Sequence, residues 1–102
     1  MAYDGGVRFE WDPTKDATNR RKHGIGFAEA ARLFEPGSRW LDLDDDELSG
    51  DELRYRAIGA IRRGVVVVVY TEVDGDEVRI ISARRATVRE RRLYEDWIER
   101  CS

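Results

Sequence analysis

The only histidine of the 102-residue chain, His23, stands in "NRRKHG" (residues 19–24), behind Arg20, Arg21 and Lys22 and directly before Gly24. Histidine titrates near neutral pH without help. Among cations it is placed to take a proton from a phosphate ester's surroundings, or to return one to the ester's oxygens. The same stretch also reads as a helix end, in which the cations complement the helix dipole and free carbonyls while Gly24 stops the helix. On the residues alone both readings stand.

A second group lies in "RIISARRATVRERRLY" (residues 79–94), where a strand delivers Arg79, Arg84 and Arg85 and a helix presents Arg89, Arg91, Arg92 and Tyr94. The planar guanidinium fork grips phosphate oxygens at two points and stays charged at any working pH, so it suits a phosphate on which charge is developing. The plainer reading is a solvated helix face on which Glu90 pairs with neighbouring arginines. Trp97 reads as core. Arg54 and Arg56 alternate with Tyr55 on a strand and either charge one sheet face or pair with the nearby acidic run. Arg62 and Arg63 fall in a turn and read as solvated.

That acidic run, "DLDDDELSGDE" (residues 42–52), spaces Asp42, Asp44 and Asp46 like the first three ligands of a calcium loop. Glu47 stands where such a loop needs glycine, and Leu53 where it needs a bidentate glutamate. It reads as a solvated loop, and no metal is expected. The GxxxxGKS loop, the GxGxxG turn and the GxSxG elbow are all missing, so no nucleotide cofactor and no acyl-transfer chemistry is expected either.

The elements that must position these residues are legible in outline. "VRFEW" alternates as a first strand, and "WDP" sets Asp12 as the cap and Pro13 as the first residue of a helix that runs to about His23. "FAEAARLF" spaces its apolar residues as a short second helix before Pro36 and Gly37. "RWLDLD", "LRYRAIGAI", "VVVVVYTEV" and "EVRIISARR" read as strands, the middle two joined by a tight turn at "RRG" and the last two by "DGD". Five successive valines mark a central strand. From Ala86 a helix follows, with Val88, Leu93, Tyr94, Trp97 and Ile98 on one side. Consecutive strands linked by hairpins predict an α+β fold: an antiparallel sheet of about four to five strands packed against two N-terminal helices and one C-terminal helix.

Length predicts one domain over residues 1–102. The net charge of −3 conceals a segregation into one acidic and one basic face. Cys101 is the only cysteine, so the chain can form no internal disulfide. The longest apolar run, Val65 to Tyr70, is too short to cross a bilayer, and "MAYDGGVRFEW" lacks an export pattern. A cytoplasmic protein is expected.

Taken together, "FEWDPTKDATNRRKHGIGF", "AARLF", "LRYRAIG", "VVVVVYTE" and "VRIISARRATVRERRLYE" resemble the BrnT toxin family, from Phe9 to about Glu95. The resemblance implies a RelE-like fold and a small ribonuclease toxin of a type II toxin-antitoxin module. Its partner would be a BrnA-type antitoxin with a ribbon-helix-helix region, in a two-to-two complex that binds operator DNA through the antitoxin. His23 and Lys22 match the family's "KHG" element, Arg54 the arginine before its "IG" strand, and Arg84 and Arg85 the basic pair after "ISA". Glu90, Arg91 and Tyr94 match the following helix. Leu53 departs from the family, where an acid often precedes the arginine.

The chemistry so implied is metal-independent RNA cleavage by attack of the 2′-OH on its own phosphate. The catalytic set is then His23 for proton transfer, Arg54, Arg84 and Arg85 as a cationic cradle, and Tyr94 on the helix. Lys22, Arg79 and Arg89 would hold the RNA backbone. The alternative is a non-catalytic binding or regulatory module whose basic face docks an acidic protein.

Overall fold

The computed structural model describes residues 2–4, 7–44, 54–73 and 77–101. Among these run six strands, β1 (Ala2–Asp4), β2 (Val7–Glu10), β3 (Trp40–Asp44), β4 (Tyr55–Ile61), β5 (Gly64–Glu72) and β6 (Glu77–Arg85). The helices are α1 (Pro13–His23), α2 (Phe27–Ala30), which runs on into a 3₁₀ turn at Ala31–Phe34, and α3 (Val88–Cys101).

α1 begins and ends as its local chemistry dictates. The Asp12 carboxylate accepts a hydrogen bond from the Thr14 N–H at 2.8 Å, and Pro13 occupies the first turn, where no donor is needed. Gly24, at φ 72°, adopts the left-handed conformation, and its N–H donates to the Arg20 carbonyl. The Gly24 carbonyl accepts from Arg63, which also ion-pairs with Glu29 of α2 at 2.9 Å. Arg63 is therefore a clamp across the ends of α1 and α2, where a solvated turn residue was expected.

The strands lie in the order β1-β2-β6-β5-β4-β3. β3 to β6 form the expected antiparallel meander, and the valine strand β5 sits inside it, flanked by β4 and β6. The expectation of a purely antiparallel sheet of four to five strands is corrected: the sheet is mixed, because β2 pairs in parallel with β6 through Arg8↔Glu77, Phe9↔Val78 and Glu10↔Arg79. Hairpin signals encode pairing between sequence neighbours. This parallel pair is closed by the long passage from α1 to β5, which leaves no local mark. β1, paired antiparallel with β2, was also not anticipated. The "DGD" turn at residues 74–76 lies outside the described residues; beside it the Val73 N–H donates to the Glu77 carbonyl.

Strand alternation gives the sheet two distinct faces. One carries Phe9, Ala57, Val66, Val68, Tyr70, Ile80 and Ala83, buried together with Ile25, Phe27, Ala30, Leu33 and Phe34. Burial of side chains such as Phe9, Phe27 and Leu33 stabilises the fold by about 1.5–3 kcal/mol each. Gly59 fits closely here: a Cβ at this position would lie 3.0 Å from Leu33 Cγ and 3.2 Å from Trp40 Cβ, so these side chains would have to shift by a few tenths of an ångström. The Tyr70 hydroxyl donates to Asp42 at 2.8 Å, and burial together with that carboxylate pushes its pKa above the usual tyrosine range.

The opposite face carries Arg56, Ile58, Val67, Val69, Ser82 and Arg84. α3 packs against β4 and β3, on the face where Ile58 and Val67 are fully buried. Its predicted apolar side is only partly covered, for Tyr94, Trp97 and Ile98 are half-buried while Val88 and Leu93 are exposed. Among the described residues no helix is long and apolar enough to cross a membrane.

Candidate functional site

The basic corner of the α3 face is organised by one carboxylate. Arg84 Nη1 and Nη2 donate to Glu90 Oε1 and Oε2 at 2.7 and 2.9 Å, the two-point geometry that a guanidinium offers a carboxylate. Glu90 is itself fixed by a capping box at the start of α3. Its backbone N–H donates to Thr87 Oγ1 at 3.1 Å, and its Oε1 accepts from the Thr87 N–H at 2.9 Å. The Arg84 hydrogen bond holds the Glu90 carboxyl well below the usual range, down to about 2, with help from Thr87 and against the effect of burial. Glu90 in turn raises the pKa of Arg84.

A second arginine joins the corner. Arg56 Nη1 lies 3.9 Å from Glu90 Oε2. In register, Arg56 pairs with Val69 on β5 while Arg84 pairs with Val67, so the two arginines stand two strands and two residues apart, about 12 Å between their Cα atoms. Only a group above β5 reaches both, and Glu90 is that group. Arg54 lies just before β4, two residues before Arg56, and the Nε atoms of both arginines are buried without a hydrogen-bond partner among the described residues. Two guanidinium groups, those of Arg84 and Arg56, thus face one carboxylate. Unpaired buried donors are rare in folded proteins, and each calls for an acceptor such as an ordered water or a ligand oxygen.

The second part of the site lies where α1 meets β6. Because β2 pairs only with residues 77–79, the rest of that β6 edge has no strand partner among the described residues. The buried Asn19 takes its place: its Nδ2 donates to the Ala83 carbonyl at 2.7 Å and to the Ile25 carbonyl at 2.9 Å, and its Oδ1 accepts from the Ala83 N–H at 3.2 Å. Next to this junction the pairing slips between Val69 and Tyr70, leaving Ile81 without a partner across the ladder. A depression of about 260 Å³ opens there, lined by Thr14, Lys15, Thr18, Asn19, Lys22, His23, Ile81 and Ser82. Its lining holds cations and hydroxyls and no carboxylate, which suits an anionic ligand.

His23 is exposed and makes no hydrogen bond or ion pair among the described residues, since Gly24 and Arg63 finish the helix end. Ser82 in the same depression lies two residues from Arg84 on one strand face, about 7 Å along β6. The histidine depression and the arginine corner therefore adjoin through Ser82.

The remaining predicted residues fall at varying distances from this centre. Arg85 pairs in register with the core residue Val66, so it alternates to the face opposite Arg84; its carbonyl accepts from Arg84 Nη1 at 3.2 Å. The predicted cradle is thus divided, and Arg56 rather than Arg85 stands with Arg84. Tyr94 lies one turn beyond Glu90 on α3, its hydroxyl donating to the Arg39 carbonyl at 3.3 Å and its ring tilted against Trp97. Lys22 is exposed in the depression, Arg89 is exposed in the first turn of α3, and Arg79 is exposed toward the other end of β6. Of the acidic run, Asp42 serves Tyr70 and Trp40, and residues 45–53 lie outside the described residues.

Sequence reasoning missed Asn19, Lys15 and Ser82, which carry no signal apart from their partners. The capping box was missed as well, although "TVRE", Thr87 to Glu90, is its local signature and would have shown that Glu90 is fixed.

Comparison with known proteins adds to this geometry. Residues 11–90 match the model of the family described as the ribonuclease toxin BrnT of type II toxin-antitoxin systems. Among solved structures, the chain is similar to the Brucella abortus ribonuclease toxin BrnT, known from a 1.1 Å crystal structure. The identity is 27%, the TM-score is 0.59, and the match covers 79% of this chain and 97% of that one. No curated protein is significantly similar to the chain.

Proposed function

The chain belongs to the BrnT family of ribonuclease toxins of type II toxin-antitoxin systems, and from that membership we propose that it cleaves RNA without a metal, by attack of a ribose 2′-OH on the adjacent phosphorus. The observation that carries this reading is the convergence of Arg56 and Arg84 on a single carboxylate, with the unpaired Nε of Arg54 two residues before Arg56, beside a depression that holds the one histidine. In the reaction the O2′–P bond forms and the P–O5′ bond breaks, leaving a 2′,3′-cyclic phosphate and a 5′-hydroxyl. One proton leaves the 2′-OH and one reaches the departing oxygen; His23 handles one of these transfers. Arg84, with Arg54 and Arg56, stabilises the charge that grows on the non-bridging oxygens. Tyr94, one turn from Glu90, would have to release the Arg39 carbonyl to bring its hydroxyl to the same phosphate. Lys22, Arg79, Arg89 and Arg85 hold the backbone on either side of it, positioning the strand without reading its sequence.

The reading extends to the biology of the module. The RNA attacked is messenger RNA, the fold is RelE-like, and the toxin acts in the cytoplasm. Its antitoxin is of the BrnA type, with a ribbon-helix-helix region that binds operator DNA in a two-to-two complex. Expression of the chain alone should arrest growth and degrade messenger RNA, and co-expression of the antitoxin should reverse both. A binding module without catalysis would leave RNA and growth untouched.

A further inference from the structure

We propose that Glu90 is a positioning residue of the cleavage site: its carboxylate occupies one fork of Arg84 and thereby aims the other fork, Nε–H with the outer Nη2–H, at a phosphate. The inference rests on the ribonuclease reading. A guanidinium carries five N–H donors. Arg84 Nη1 spends its two on Glu90 Oε1 and the Arg85 carbonyl, and Nη2 spends one on Glu90 Oε2. What remains is a second pair of parallel donors with no partner among the described residues, in the geometry that grips two oxygens of a phosphate.

The holder is stiffer than what it holds. Glu90 sits in the first turn of α3, and its Oε1 is also held by the Thr87 N–H. A long arginine side chain is flexible, whereas a fork fixed in advance loses less freedom when it binds. The same carboxylate lies 3.9 Å from Arg56 and so sets the spacing of two guanidinium groups from strands that do not touch.

The capping box allows the two roles of Glu90 to be separated. Glutamine also completes a capping box, so E90Q keeps the helix start and loses the charged, two-point hold on Arg84. T87A does the reverse, removing the hydroxyl cap while the carboxylate keeps its hold. With the purified full chain and an RNA substrate, E90Q should fold, lose kcat on the order of 10²-fold, and show a KM that is unchanged or lower, since one negative charge beside the arginines is removed. T87A should melt earlier yet keep kcat. The slowed rotation of the Arg84 guanidinium, read by nitrogen-15 NMR, should be present in the wild type and in T87A and lost in E90Q.

If E90Q does not fold, E90D, which draws the carboxylate back by one methylene, must show the same fall in kcat at constant KM. A folded E90Q with the wild-type kcat would overturn the proposal and leave Glu90 a helix cap; a faster E90Q would overturn it by making Glu90 a mask. A wild-type chain that cleaves no RNA would sink the ribonuclease reading and this proposal with it, whereas a cleaving wild type matched by E90Q would sink this proposal alone.

Discussion

Arg84 at the end of β6 and Glu90 in the first turn of α3 are joined by two parallel hydrogen bonds of 2.7 and 2.9 Å, so the sheet and the C-terminal helix meet through a charged pair. The Glu90 carboxyl is lowered from 4.5 to about 2 in the folded chain. A depressed carboxyl contributes stability that is whole above its unfolded value and is lost as pH falls through the folded one. Urea unfolding between pH 4.5 and 2 should therefore show a steeper loss of stability in the wild type than in E90Q. The difference should total about 2 kcal/mol, after a discount for the partly exposed Arg84.

Asn19 is the one buried residue of α1, and its amide satisfies both backbone groups of Ala83 and the carbonyl of Ile25. Asn19→Ala would leave these groups without a partner, at a cost of roughly 3 kcal/mol. Asn19→Asp should be as harmful, because a carboxylate would face two carbonyls. Both should lower the denaturation midpoint, with the slope of the transition unchanged for a loss of stability alone.

Gly59→Ala tests the packing of the main core. The new methyl would meet Leu33 Cγ at 3.0 Å and Leu33 Cδ1 at 3.1 Å, inside a fully buried site. A loss of about 1–3 kcal/mol is expected, measured by thermal or urea unfolding.

Arg84→Lys keeps the charge and removes the fork. A lysine cannot hold Glu90 at two points and a phosphate at two more, so RNA cleavage should fall by about 10- to 100-fold even though net charge is unchanged. Arg62→Lys, in the exposed turn between β4 and β5, is the control and should cleave at the wild-type rate.

What the sequence disclosed follows the range of the interactions. Asp12, Pro13 and Gly24 act on their own neighbours, so the ends of α1 were legible, as was the turn that joins β4 to β5. The parallel pairing of Phe9 with Val78 is set by contacts across most of the chain, and no local residue reports it. The site divides in the same way. The arginines of "ISARR" were read from the sequence and the local Thr87–Glu90 capping box was not, while strand alternation separates Arg84 from Arg85, and only the structure shows that Arg56 stands with Arg84 at Glu90. Asn19 reads as an ordinary polar residue in a helix until Ala83 is brought beside it. Arg63 looked solvated because Gly24 and Glu29, its partners, lie in a different part of the chain.

The central claim is cleavage by the 2′-OH under the control of Arg84 and His23, and the ends of the RNA fragments test it most directly. Purified chain, incubated with a defined RNA in excess EDTA, should produce 2′,3′-cyclic phosphate and 5′-hydroxyl ends, and Arg84→Ala and His23→Ala should both suppress them. Cleavage that stops in EDTA and returns with magnesium, or that proceeds at full rate in both variants, would contradict the account.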